Sequence, residues 1–109
     1  MRYAITGAAG QISRPLVKQL LKAGHSVTAI GRSEDHLREL ITAGAQAAIG
    51  AVEDRDFLKA AFADAHAVYT MYPGSFSAPD LKAFIEQIAK NYAEAIQANN
   101  IRSSLTSAP

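Results

Sequence analysis

Residues 3–13 of the chain read YAITGAAGQIS, and this stretch decides the fold. Its first four residues form a short strand-like run that ends at Gly7. Over residues 11–23, apolar side chains recur at helical spacing and form one stripe, made of Ile12, Leu16, Val17, Leu20 and Leu21. The sequence therefore predicts a strand, a glycine-containing turn and an amphipathic helix in immediate succession.

The same alternation continues along the chain. Further strands are predicted over residues 26–30, 45–49 and 67–71, each bounded by glycine or proline. Ser33 and Asp54 are suitable N-caps for the second and third helices, and the longest helix is predicted over residues 80–98. Strands that alternate with helices imply right-handed crossovers. We therefore expect an α/β fold with a parallel sheet in the order 3-2-1-4 and helices on both faces.

Composition limits the class of protein. The chain has 109 residues, 49% of them hydrophobic and 19% charged, which predicts one folded domain over residues 1–109. Its 11 basic and 10 acidic residues are dispersed, so no nucleic-acid partner is expected. There is no cysteine, and His25, His36 and His66 are not spaced as metal ligands, so no metal is expected. No apolar run approaches a membrane span. A cytoplasmic location is the resulting expectation.

The two glycines of the first turn suit a phosphate group. Gly7 permits a tight turn directly after the strand, and Gly10 has no Cβ, so phosphate oxygens can approach the backbone. Free N–H groups at the start of the following helix would then face the anion. An ordinary tight strand–helix turn is the alternative. The position of the glycines between a strand and an amphipathic helix favours a pyrophosphate site.

Residues 3–12 resemble the opening of an extended or atypical short-chain dehydrogenase/reductase. The resemblance is greatest to NmrA-like NAD(P)-binding proteins and the related NADPH-dependent quinone oxidoreductases, and it implies a Rossmann-like fold. It continues through Ile30-Gly31-Arg32, residues 50–54, residues 67–69 and residues 85–98, and covers about residues 1–101. Gly7 and Gly10 match family glycines, whereas Ser13 occupies the position of the third, which implies slightly wider packing of helix on strand.

The resemblance implies a dinucleotide cofactor, NADP(H) rather than NAD(H). Its phosphates would lie against the first turn, formed by Thr6, Gly7, Ala8, Ala9, Gly10, Gln11 and Ile12. Arg32 follows the second strand, where NAD-specific relatives carry an acidic residue, and Ser33 adds a hydroxyl. Arg32 can pair with a 2′-phosphate. An arginine in solvent near a helix start is the alternative.

Two further segments belong to the expected site. Glu53 and Asp54 resemble the acidic pair that borders the adenine in this family, although Asp54 is equally suited to be a plain helix N-cap, and both roles can hold together. Met71-Tyr72-Pro73 follows the fourth strand, and in the family this loop lines the path toward the nicotinamide. A loop that merely closes over the core is the alternative for these three residues.

The C-terminal segment departs from the family pattern. Residues 102–109 contain one bulky apolar residue, Leu105, where a hydrophobic fifth strand is expected. A buried parallel strand is normally a near-continuous apolar run. We therefore expect a chain truncated before its fifth strand, whose fourth strand is an exposed edge. Such an edge favours self-association.

The sequence thus predicts the NADP(H)-binding domain of an NmrA-like oxidoreductase that acts on a quinone or carbonyl acceptor. No Tyr-x-x-x-Lys pair occurs in the chain, so no catalytic residue is assigned. A non-catalytic module that senses NADP(H), or a truncated inactive fragment, remains the alternative.

Overall fold

The computed structural model describes residues 1–8, 10, 13–71 and 81–106. Strands and helices alternate over this part of the chain. The strands are β1 Arg2–Ile5, β2 Ser26–Gly31, β3 Gln46–Ile49, β4 Ala67–Thr70 and β5 Ser103–Thr106. The helices are α1 Ser13–Lys22, α2 Glu34–Thr42, α3 Arg55–Ala61 and α4 Leu81–Ala98.

The five strands form one parallel sheet in the order β3-β2-β1-β4-β5. The predicted order 3-2-1-4 is therefore confirmed. The predicted truncation before a fifth strand is wrong, because β5 pairs with β4 in the register Ala67↔Ser103 and Tyr69↔Leu105. β4 is consequently an inner strand, and the exposed β4 edge on which the expectation of self-association rested does not exist.

The helices pack on both faces of the sheet, as predicted. Alternate strand residues point to opposite sides, so neighbouring residues of β1 join different cores. Ala4 packs with Leu58 of α3, with Phe62 at the C-cap of α3, and with Ile88 of α4. Ile5 packs with those of α1 and α2, which are Val17, Leu37 and Leu40. The helices and the sheet thus form three layers. Because the strands are parallel, the carboxyl ends of β1, β2, β3 and β4 lie at one edge of the sheet.

An exposed ion-pair cluster joins the two helices of one layer. Lys18 of α1 pairs with Glu39 of α2, and Arg14 Nη1 lies 3.7 Å from the same carboxylate. The hydrogen bond and positive charge of Lys18, with a smaller contribution from Arg14, lower the pKa of Glu39 from its ordinary value. The carboxylate therefore stays ionised at neutral pH and links α1 to α2 on the surface.

One apolar region of the sheet is left open on the side that carries α1. A cavity of about 370 Å³ lies over β1 and β4, lined mainly by Tyr3, Ile5, Leu16, Leu20 and Tyr69. In the described part of the chain, no helix is both long and apolar enough to cross a membrane.

Candidate functional site

The turn after β1 is tied to both neighbouring strands. The Thr6 N–H donates to the Tyr69 carbonyl of β4 (3.0 Å), and the Ala8 N–H donates to the Ile30 carbonyl of β2 (3.1 Å). Gly7 has φ +59°, a left-handed conformation that side chains rarely adopt. These contacts fix the backbone that leads from the sheet into α1.

Gly10 closes this turn against α1. Its N–H donates to the Gly7 carbonyl (3.0 Å), and its own carbonyl accepts from the Arg14 N–H (3.0 Å). A Cβ at Gly10 would lie 3.2 Å from the Gly7 carbonyl oxygen, tighter than most Cβ contacts. Because the N–H groups of Ala8 and Gly10 bond within the protein, these two residues contribute shape to the turn rather than donors.

The start of α1 suits an anionic ligand. No acidic residue occurs in the first turn of α1, whereas α2 begins with Glu34 and Asp35. A helix N-terminus carries partial positive charge, and a carboxylate there would compete with a bound phosphate. Ser13, at the family's third glycine position, is fully buried. Its hydroxyl donates to the Met71 sulfur and so faces the protein.

Met71, at the end of β4, is held firmly beside the turn. Its N–H donates to Thr6 Oγ1 (2.8 Å), and its carbonyl accepts from the Tyr92 hydroxyl of α4 (2.5 Å). Tyr92 is 3% exposed and also lies within 3.3 Å of Thr6 Oγ1. Thr6 and Met71, both predicted site residues, are therefore brought together. The Tyr92 hydroxyl of α4 contacts both of them.

Arg32 and Glu53 meet at the ends of β2 and β3. The Gly50 N–H donates to the Gly31 carbonyl (2.9 Å), which keeps the two strand ends together. Arg32 Nη2 lies 2.6 Å from Glu53 Oε1 and 2.5 Å from Oε2. The two side chains are 63% and 41% exposed, so both remain accessible. The sequence assigned them separate roles and did not predict this ion pair.

The two predicted N-caps behave differently. Asp54 Oδ1 accepts from the Phe57 N–H (3.1 Å), so Asp54 caps α3 as predicted. Ser33 occupies the N-cap position of α2 with an extended backbone, but its side chain makes no capping hydrogen bond. The hydroxyl of Ser33, next to Arg32, is therefore not used in capping.

Asn91 supports the site and was missed in the sequence. It is 3% exposed, and its Nδ2 donates to the carbonyls of Val52 (3.2 Å) and Glu53 (3.1 Å). Its Oδ1 accepts from Gln87 Nε2 (3.0 Å). The available signal was a polar residue three positions after Ile88 on the apolar stripe of α4. Asn91 thus fixes the loop that carries Glu53.

Part of the predicted site lies outside the described residues. This applies to Ala9, Gln11, Ile12, Tyr72 and Pro73. Among the described residues, no group of three or more histidine or acidic side chains is arranged to hold a metal ion.

A parallel sheet in this order, with a glycine turn leading into a helix at its carboxyl edge, defines a Rossmann-like nucleotide-binding fold. A protein-family model described as NAD(P)H-binding matches residues 7–108. The chain belongs to this NAD(P)H-binding family, and its ligand class is a nicotinamide dinucleotide.

Two known proteins are similar in sequence to part of the chain. An uncharacterised protein of Schizosaccharomyces pombe is 44% identical over 78 residues, which are 71% of this chain and 26% of that protein. A 4-hydroxy-2-methyl-3-oxo-4-farnesyl-3,4-dihydroquinoline-1-oxide ketoreductase of Stigmatella aurantiaca is 39% identical over 59 residues, 54% of this chain and 18% of that protein. The chain thus spans about a quarter or less of these relatives' length.

Two reductases share the fold. Triphenylmethane reductase from Citrobacter sp., solved with NADP(H), aligns with a TM-score of 0.76 at 22% identity, over 97% of this chain and 36% of that one. The NADPH-dependent quinone oxidoreductase of Escherichia coli, solved with NADPH, aligns with a TM-score of 0.75 at 20% identity, over 95% and 35%. At these identities the two matches show a shared fold, and the family match over residues 7–108 confirms the predicted resemblance to NAD(P)-binding proteins.

Proposed function

We propose that the chain binds NADP(H) across the carboxyl edge of the sheet, with the diphosphate against the β1–α1 turn. The observation that carries this proposal is the turn itself: a left-handed Gly7, a Gly10 whose Cβ would press on the Gly7 carbonyl oxygen, and an α1 start without acidic residues. Family membership supplies the ligand class. In the proposal, Gly7, Ala8 and Gly10 shape the turn, and backbone N–H groups of residues 11–13 donate to the diphosphate.

Arg32 and Ser33 select the 2′-phosphate in this proposal. Arg32 is well exposed at the strand edge, and a guanidinium can meet a phosphate with two parallel hydrogen bonds. The Ser33 hydroxyl, which does not cap α2, adds a donor beside it. Glu53 and Asp54 border the adenine, and the segment Met71-Tyr72-Pro73 leads toward the nicotinamide end.

We further propose that the cofactor serves a reductase acting on a quinone or carbonyl acceptor. The reduced cofactor supplies a hydride when bound. The names of the relatives support this class, since one is a ketoreductase and another a quinone oxidoreductase. The part played by this chain is to bind and orient the dinucleotide, and Thr6, Met71 and Tyr92 fix the strand end nearest the nicotinamide path.

The experiment is calorimetric titration of NADP(H) into the wild type and Gly10→Val. The valine would press against the Gly7 carbonyl and fill the space of the phosphate, so we expect affinity to fall roughly ten- to a hundredfold. Ala98→Val, at the exposed end of α4, is the matched control and should bind normally. Thermal unfolding of all three proteins verifies that they fold. A wild type that binds no dinucleotide at millimolar concentration would overturn the proposal.

A further inference from the structure

We infer that Glu53 is a determinant of cofactor selectivity that opposes Arg32, so that the site accepts NAD(H) as well as NADP(H). The inference rests on the proposed function, because it concerns the same dinucleotide site. It assigns Glu53 a second place in that site, beside the ribose 2′ position rather than only at the adenine.

Geometry places the two charges on one ligand position. Arg32 follows β2 and Glu53 follows β3, and the Gly50–Gly31 hydrogen bond keeps these strand ends adjacent. Both carboxylate oxygens lie within 2.6 Å of Arg32 Nη2. A 2′-phosphate that approaches the Arg32 guanidinium therefore meets a cation that is already paired with the Glu53 carboxylate.

The backbone of Glu53 is fixed, which keeps the side chain within reach of Arg32. The buried Asn91 amide donates to the carbonyls of Val52 and Glu53, and the next residue, Asp54, caps α3. The side chain can rotate away, but the loop that carries it is held to α4 and α3. A 2′-phosphate then loses affinity twice, because Arg32 must leave an ion pair and a second anion remains nearby.

The same arrangement favours NAD(H). A carboxylate accepts hydrogen bonds, so Glu53 can accept one from the free 2′-hydroxyl of NAD(H). Acidic residues perform this role after the second strand in NAD-binding Rossmann folds. Here the carboxylate arrives from the third strand instead. The Arg32–Glu53 pair thus presents a cation for the phosphate and an acceptor for the hydroxyl at one position.

The size of the effect follows from the exposure of the pair. Exposed ion pairs are weak, so release of Arg32 changes affinity by at most about fivefold. Removal of the Glu53 negative charge further raises the affinity for a 2′-phosphate. Loss of a charged acceptor lowers the affinity for a 2′-hydroxyl. For Glu53→Gln we expect the ratio of the NAD(H) to the NADP(H) dissociation constant to rise roughly five- to tenfold.

The experiment measures both dinucleotides, and also adenosine 2′,5′-bisphosphate against AMP, by calorimetry with wild type and Glu53→Gln. The second pair of probes differs only in the 2′-phosphate and does not need the nicotinamide end. Glu94→Gln is the matched control, because Glu94 forms another exposed ion pair with an arginine, Arg55 of α3. Glu94→Gln should leave the ratio unchanged, and Glu53→Gln in an Arg32→Ala background should tighten NADP(H) by less than in the wild type, because only the repulsion between the carboxylate and the 2′-phosphate is then relieved.

The outcomes separate the two hypotheses. An unchanged ratio in Glu53→Gln would overturn the inference, and so would weaker NADP(H) binding, which would mean that Glu53 positions Arg32 for the phosphate. If the adenosine probes shift as expected but neither dinucleotide binds, the opposition of Glu53 and Arg32 at the 2′ position stands, whereas the acceptance of NAD(H) and the proposed function fail. If no probe binds any of the proteins, both fail.

Discussion

At the scale of single residues, we expect the affinity for NADP(H) to depend most on Arg32. Charged hydrogen bonds to a 2′-phosphate correspond to roughly ten- to a hundredfold in affinity. Because Arg32 is already paired with Glu53, we expect Arg32→Ala to lower the affinity for NADP(H) by about tenfold, the lower end of this range. The affinity for NAD(H) should be nearly unchanged. Fluorescence or calorimetric titration with both cofactors measures this.

Arg32→Lys and added salt provide the controls for this prediction. Lysine keeps the charge but cannot present the planar fork of a guanidinium, so it should recover only part of the affinity. Salt should reduce the preference for NADP(H), because the exposed pair is screened. If Arg32 does not contact the 2′-phosphate, Arg32→Ala will not change the affinity for either cofactor.

At the scale of elements, the junction of β3 and α3 contains the most tightly packed glycine of the part of the chain that the structure describes. A Cβ at Gly50 would lie 2.7 Å from the ring atoms Cδ1 and Cε1 of Phe57. Overpacking of this kind costs about 1–3 kcal/mol, so Gly50→Ala should lower the free energy of unfolding by about that amount. Urea denaturation measures it.

Gly31→Ala is the matched control for this junction. A Cβ there would lie 3.3 Å from the methyl groups of Leu37, which can move aside more readily than a ring. The combination of Gly50→Ala with Phe57→Leu should regain part of the lost stability. Equal destabilisation by Gly31→Ala and Gly50→Ala would contradict the assignment of the cost to Phe57.

Most elements could be predicted from periodicity, but β5 could not. The three inner strands and the helices were found because their apolar spacing reflects burial on one or both faces, and the edge strand β3 was found from the glycines that bound it. β5 is polar, with an exposed Ser104, and its place in the sheet rests on backbone hydrogen bonds to β4. An edge strand buries less side-chain surface, so its composition carries little of the signal expected from an inner parallel strand.

The candidate site was predictable where it follows the chain and not where it joins distant segments. Gly7 and Gly10 are adjacent to β1, so the turn could be inferred locally. Arg32 and Glu53 are 21 positions apart and meet only because β2 and β3 are neighbours. Asn91 acts from the fourth helix on a loop 38 positions earlier, which requires the packed structure.

At the scale of the whole molecule, self-association remains a prediction, on a different surface from the one first expected. β5 covers the edge of β4, but the apolar cavity lined by Tyr3, Leu16, Leu20 and Tyr69 stays open. An exposed apolar patch favours association with a second copy. We expect sedimentation velocity at micromolar concentration to show a species larger than the 11.6 kDa monomer.

Leu20→Glu tests which surface is responsible. A carboxylate in the apolar cavity would have to be desolvated in any contact made there, so the variant should sediment as a monomer. Lys22→Glu, on the exposed end of the same helix, changes the charge without entering the cavity and should behave as the wild type. A monomeric wild type would contradict the prediction of self-association.

Two neighbouring residues of α4 hold two different parts of the strand edge. Asn91 binds the carbonyls after β3, and Tyr92 binds the carbonyl after β4. A local opening of this one helical turn would release both segments, the one after β3 and the one after β4. The amide hydrogens of the turn and of the two segments should therefore exchange as a single cooperative unit. We therefore expect NADP(H) to slow hydrogen–deuterium exchange around residues 88–95, although no proposed cofactor contact lies on that helix. Protection confined to the β1–α1 turn would show that the two loops open independently.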